Sequence, residues 1–106
     1  MVRDQIAARG IKNPAVLKAI SETPREQFMP VDVRALAYED RPVPIGYSQT
    51  ISQPYIVAFM TEMLDIRKDH VVLEIGTGSG YQAAVLWPLA KEIYSIEIVP
   101  QLARSA

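Results

Sequence analysis

The chain has 106 residues, 49% hydrophobic and 22% charged, a balance that suits one modest buried core. Its formal charge of −1, from 11 basic and 12 acidic side chains, offers no general attraction for nucleic acid or an anionic membrane, so neither is expected as a partner. There is no cysteine, which excludes a disulfide scaffold, a thiolate nucleophile and cysteine metal ligation, and no metal is expected. The opening Met1-Val2-Arg3-Asp4-Gln5 has no apolar signal-peptide core, and no apolar run approaches membrane-spanning length, so a cytoplasmic location is expected.

Residues 1–40 read as a helical region broken into short pieces. Asn13-Pro14 has the form of an N-cap and first-turn pair, followed by Val16, Leu17 and Ile20 on one apolar face. Thr23-Pro24 repeats that signal, with Glu26 three residues after Thr23 as in a capping box. Asp40–Gly46 contains two prolines that forbid regular helix and reads as a linker. From Pro54 to Leu64 the pattern is an amphipathic helix, with Ile56, Val57, Met60, Met63 and Leu64 recurring at helical spacing and Phe59 beside them. The methionines are expected as core filler. Ser52-Gln53-Pro54 is the entry to that helix, which makes Ser52 a candidate N-cap. His70, the one histidine, precedes a strand and is expected in a surface loop.

The most informative stretch is V-V-L-E-I-G-T-G-S-G at Val71–Gly80. Branched apolar residues of this kind form a buried parallel strand. Three glycines at alternate positions, Gly76, Gly78 and Gly80, follow where the backbone must turn tightly and admit a ligand. A helical stretch, Tyr81–Trp87, comes next, completing the front half of a nucleotide-type βαβ unit. Trp87-Pro88 should end this helix early, with the indole packed against it. Ile93–Glu97 is the next expected strand, and Pro100–Arg104 starts a second crossover helix.

Departures from the dinucleotide pattern narrow the ligand. G-x-G-x-x-G/A needs a small third residue for close helix–strand packing; here Tyr81 holds that place and the third glycine comes one residue early. Glu74, in the strand before the loop, suits a cationic or donor-rich ligand better than a pyrophosphate. S-adenosylmethionine has a ribose, an ammonium and a sulfonium and no phosphate. Glu97 lies 21 positions after Gly76, near the spacing at which an acid reaches ribose hydroxyls. A nicotinamide-dependent oxidoreductase is disfavoured by Tyr81 and Glu74. A nucleotide- or S-adenosylmethionine-binding module without transferase activity stays open.

Two segments carry a closer resemblance. E-I-G-T-G-S-G-Y-Q-A-A-V-L at 74–86 and I-G-Y-S-Q-T-I-S-Q-P-Y-I-V-A at 45–58 resemble the signature segments of protein-L-isoaspartate O-methyltransferases. The first alone would mark only a class I methyltransferase; the T-I-S segment with its following proline is far more specific. The patterns I-x-x-x-x-V-L-x-A-I at 11–20 and R-E-x-F at 25–28 also resemble that family. Ser48 stands where many of its members have glycine.

The resemblance implies an α/β, Rossmann-like class I methyltransferase fold preceded by a small helical region. It divides the chain into a helical cover (1–40), a linker and substrate loop (41–53) and the first half of the S-adenosylmethionine domain (54–106). The implied activity is methyl transfer from S-adenosyl-L-methionine to the free carboxylate of L-isoaspartyl residues in damaged peptides and proteins. In the family the resulting ester collapses to a succinimide, whose hydrolysis returns part of the damage to aspartate. Ser52 takes the family's catalytic place, and Thr50 and Gln53 flank it as substrate-binding candidates. Glu74, Gly76, Thr77, Gly78, Ser79 and Gly80 would surround the methionine portion of the cofactor, and Glu97 its ribose. A monomer is expected. Family chains run well beyond this length, so these residues are expected to form an N-terminal half that is marginally stable and largely inactive alone.

Overall fold

The computed structural model describes residues 1–105. The first 40 residues are short helical pieces, as their broken pattern predicts: a π-helical turn at Val2–Ile6, 3₁₀ turns at Ala7–Arg9, Arg25–Phe28 and Val31–Leu36, and one α-helix, α1, at Pro14–Glu22. Helix α1 begins as its sequence dictates. Asn13 Oδ1 accepts the amides of Ala15 and Val16 at 2.9 and 3.4 Å, and Pro14 fills the first turn where no donor is needed. The expected capping box at Thr23 does not form. Its hydroxyl instead donates back to the Ala19 carbonyl at 2.6 Å, and the Glu26 carboxylate accepts from the Tyr38 hydroxyl. The chain here makes a single 3₁₀ turn, too short to reward a reciprocal cap.

The stretch expected as a linker carries a strand. Strands β1 (Val43–Gly46) and β2 (Gln49–Ile51) pair antiparallel, with Gly46 opposite Gln49 across a two-residue turn. Tyr47 and Ser48 both take positive φ, 56° and 57°, as this tight hairpin geometry demands. Pro44 is tolerated because a two-stranded ribbon has only edge strands. A left-handed L-residue costs about 1–2 kcal/mol, more than the about 0.5–1 kcal/mol of extra chain entropy a glycine brings. Ser48→Gly is therefore expected to raise the thermal midpoint; a lowered midpoint would mean that the turn strain is relieved elsewhere.

Helix α2 (Pro54–Met63) follows, then strand β3 (Val71–Ile75), helix α3 (Tyr81–Leu86), strand β4 (Glu92–Ile96) and helix α4 (Pro100–Ser105). Strands β3 and β4 are parallel and in register from Val71–Glu92 to Ile75–Ile96, as a βαβ unit requires. Helix α3 stops at Leu86, before Pro88. His70 is exposed in the loop before β3. None of the helices among the described residues is long and apolar enough to cross a membrane.

One buried cluster unites the helical region, the hairpin, α2 and α3. It includes Ile6, Val16, Ile20, Val43, Ile51, Val57, Ala58, Tyr81 and Val85. Strands β3 and β4 give it nothing. Val71, Leu73 and Ile75, with Tyr94 and Ile96 beside them, are 52–74% exposed, against the expectation of a buried strand. Trp87 is likewise 73% exposed, not packed on its helix. The expected apolar face of α2 is also corrected: Val57, Ala58 and Thr61 are buried, whereas Ile56, Phe59, Met60, Met63 and Leu64 are exposed. Met60 and Met63 are therefore not core filler.

Candidate active site

The glycine loop leaves β3 at its carboxyl end. The amides of Gly76 and Thr77 donate to the Ile96 carbonyl at 2.7 and 3.2 Å, tying the loop to the neighbouring strand. Gly76 and Gly78 take φ of +90° and +56°, conformations that ordinary side chains rarely adopt. A Cβ at either would meet nothing within 4 Å, so both face open space. Gly80, left-handed and buried, passes the chain into α3.

A cavity of about 370 Å³ lies against this loop. One wall is Thr50, Ile51 and Ser52 from the hairpin and the entry to α2. A second is Val57, Met60, Thr61 and Leu64 on α2. The third runs from Val72 through Ser79, with Tyr81, Gln82 and Leu86 of α3 behind it. Segments more than 20 residues apart in sequence thus meet around one space. Of the candidates from sequence, Thr50, Ser52, Glu74, Gly76, Thr77, Gly78 and Ser79 line it; Gln53, Gly80 and Glu97 do not. Gln53 turns away, and its amide donates to Asp40 Oδ1 at 2.6 Å, where Asp40 is also paired with Arg9.

Ser52 does not cap α2. Gln53 holds the cap position and no side chain bonds the first amides of the helix. The Ser52 carbonyl accepts from the Arg25 guanidinium at 2.8 Å, while its hydroxyl makes no hydrogen bond among the described residues. That exposed hydroxyl, on the cavity wall, is free to meet a ligand.

Carboxylates dominate the electrostatics. Glu74 is half-buried and accepts from the Ser95 hydroxyl at 2.6 Å, and Ser95 in turn lies 2.5 Å from the Thr77 hydroxyl. Burial pushes the Glu74 carboxyl above its ordinary range, the Ser95 bond opposes this, and the nearby Glu97 charge adds to it. Glu97 behaves oppositely. It accepts the amides of Val99 at 3.0 Å and Gly78 at 2.7 Å, which hold it below the usual carboxylate range. Glu97 thus grips the glycine loop from the end of β4. No lysine or arginine lines the cavity among the described residues. The donor set therefore fits an uncharged or cationic ligand and lacks the cations a pyrophosphate would call for.

Sequence reasoning missed four contributors. Met60 and Leu64 form part of the cavity wall. Thr61, fully buried, accepts from Gln82 Nε2 at 2.9 Å and pins α3 to α2. Arg25 is completely buried between the hairpin and α3; the R-E-x-F pattern marked its position but not its partners.

The profile of the protein-L-isoaspartate(D-aspartate) O-methyltransferase (PCMT) family matches residues 1–106. The chain belongs to this family. A protein-L-isoaspartate O-methyltransferase from Picosynechococcus is 56% identical over the whole chain, which covers 48% of that relative; one from Opitutus terrae is 58% identical, with 46% covered. The chain thus spans about half the length of the curated relatives it matches. Among solved structures, a protein-L-isoaspartate O-methyltransferase superposes with a TM-score of 0.82 at 29% identity, over 100% of this chain and 37% of that one. A putative protein-L-isoaspartate O-methyltransferase from Plasmodium falciparum, solved with S-adenosyl-L-homocysteine, gives a TM-score of 0.80 at 21% identity, over 98% of this chain and 50% of that one, and shows the shared fold. The α/β architecture is that of the isoaspartate methyltransferases, and the cavity lies between the two segments that resemble the family's signatures.

Proposed function

We propose that this isoaspartate methyltransferase chain carries the cofactor loop and one substrate-facing wall of an enzyme that methylates the free carboxylate of L-isoaspartyl residues in damaged peptides and proteins, using S-adenosyl-L-methionine. The observation that carries the proposal is the single cavity on which Thr50 and Ser52 face the Glu74–Ser79 loop. Family membership and the near-neutral net charge support a cytoplasmic monomer that works on peptide without nucleic acid or membrane.

The cavity suits the cofactor. Gly76 and Gly78 leave open space beside the loop, and Glu74 offers a carboxylate where the ligand carries cationic groups. Gly76, Thr77, Gly78 and Ser79, which line the cavity, would enclose the methionine portion, with Gly80 behind them ending the loop. Glu97, at the end of β4 and outside the cavity lining, keeps lone pairs beyond the amide bonds from Gly78 and Val99 and would accept with them from the ribose hydroxyls. S-adenosylmethionine supplies an electrophilic methyl group on a sulfonium. The substrate carboxylate is already ionised at neutral pH, so no residue has to remove a proton. What remains for the protein is alignment and exclusion of water. The uncommitted hydroxyl of Ser52 orients the carboxylate by donating one hydrogen bond, leaving the attacking lone pair clear. Thr50 lies beside it on the same wall, and Gln53 holds the loop's far side through Asp40 while lying next to the substrate segment.

The test is transfer of labelled methyl to an isoaspartyl peptide, with the aspartyl peptide as control, by the complete gene product and by the 106-residue chain. Transfer to the isoaspartyl peptide alone is expected, with the shorter chain largely inactive. Ser52→Ala is expected to lower kcat about 100-fold, with S-adenosylhomocysteine affinity little changed. Binding of S-adenosylhomocysteine without transfer would leave only a binding module.

A further inference from the structure

The most unusual side chain in the molecule lies behind the cavity. Arg25 is 0% exposed, yet among the described residues no carboxylate pairs with it. Burying a guanidinium is costly unless its donors are met in good geometry. Here Nε donates to the Ala37 carbonyl at 2.6 Å and Nη2 donates to the Ser52 carbonyl at 2.8 Å, while Nη1 is buried without a partner among the described residues, so the two carbonyl bonds and the ring contact described next offset the burial only in part. The guanidinium also lies over the Tyr81 ring, 5.1 Å from its centroid, and Tyr81 is the first residue of the helix that follows the glycine loop. Phe28 meets the same ring edge-on, with centroids 5.8 Å apart.

We infer that Arg25 is a positioning residue for methyl transfer, tying the Ser52 peptide to the helix that carries the cofactor loop. This deepens the proposed function and rests on it. Ser52 and Tyr81 lie on separate segments and both line one cavity. Fixing the Ser52 carbonyl fixes the peptide plane from which the Ser52 side chain is set. Stacking on Tyr81 refers that plane to the start of α3, and so to the loop ending at Gly80. A flat fork with several donors does both at once. A lysine ammonium keeps the charge but cannot bridge two carbonyls while covering a ring. Purely apolar packing would explain neither the direction of the donors nor the choice of a backbone acceptor at the serine itself.

The test is kinetic, on the complete gene product, with Arg25→Lys, Ser52→Ala and the double variant. Arg25→Lys is expected to lower kcat for the isoaspartyl peptide 10- to 100-fold, while the dissociation constant for S-adenosylhomocysteine moves less than about threefold. Because Arg25 acts through Ser52, the double variant should be scarcely slower than Ser52→Ala. Multiplying losses, or an unchanged kcat in Arg25→Lys, would overturn the inference. Tyr81→Leu, which removes the stacking surface and leaves both carbonyl acceptors, is the second variant should Arg25→Lys not fold. It is expected to show the same dependence on Ser52, and independence would equally overturn the inference. Failure of the unmodified protein to methylate the peptide would instead refute the proposed function.

Discussion

Gly76→Val is expected to weaken S-adenosylhomocysteine binding by the complete gene product about 10- to 100-fold. In the free loop the Cβ of a valine at position 76 meets nothing within 4 Å. The cost is in the backbone, about 1–3 kcal/mol for a non-glycine residue in such a conformation. The free loop relaxes to escape that strain, and binding has to restore it, so the strain appears as lost affinity at about 1.4 kcal/mol per tenfold. The Gly76 amide bond to the Ile96 carbonyl loosens with it. Gly78→Asn separates strain from space. Its φ of +56° lies in the left-handed region that asparagine tolerates, and its loss should stay under about tenfold. Calorimetric titration decides the matter, and native affinity in Gly76→Val would remove the loop from the binding site.

The second large effect is on stability. Ile20→Ala is expected to cost about 2–5 kcal/mol, a large share of the about 5–15 kcal/mol that holds an ordinary domain together. Ile20 is 1% exposed on α1, in the cluster that joins the helical region to α2 and α3. Because β3 and β4 bury no side chain completely, no other fully buried apolar layer among the described residues compensates. Ile20→Val should cost about 0.5–1.5 kcal/mol. Urea unfolding with an unchanged slope checks both, and equal midpoints for the two variants would show that the site can collapse around the cavity.

The βαβ unit was legible because its signals are local. Branched residues, spaced glycines and a proline after Trp87 each act within a few positions, and β3, the loop and α3 lie where those residues put them. Asn13 declared its helix for the same reason. The hairpin was hidden because Pro42 and Pro44 read as breakers, and a ribbon made only of edges does not penalise them. The face of α2 was ambiguous from the start. Residues 55–60 are apolar all the way round, so periodicity could not choose, and tertiary contact selected Val57 and Ala58. The candidate site was half legible: the residues named on its two walls do converge, but the partners of Arg25, 12 to 56 positions away, leave no local trace. Glu97 stood at the right spacing, yet its grip on the Gly78 amide is a property of the folded loop alone.

The exposed β3–β4 pair also sets an order of opening. Amides in a ladder that buries no side chain completely can meet solvent through small local excursions, whereas those beneath a shared core wait for nearly complete unfolding. In native-state hydrogen exchange of the 106-residue chain, Leu73 and Tyr94 should therefore exchange long before Ile20 and Val57. The cofactor loop is hung on the softest part of this chain, so ligand added to it should slow exchange in the strands first, through mass action on the closed form.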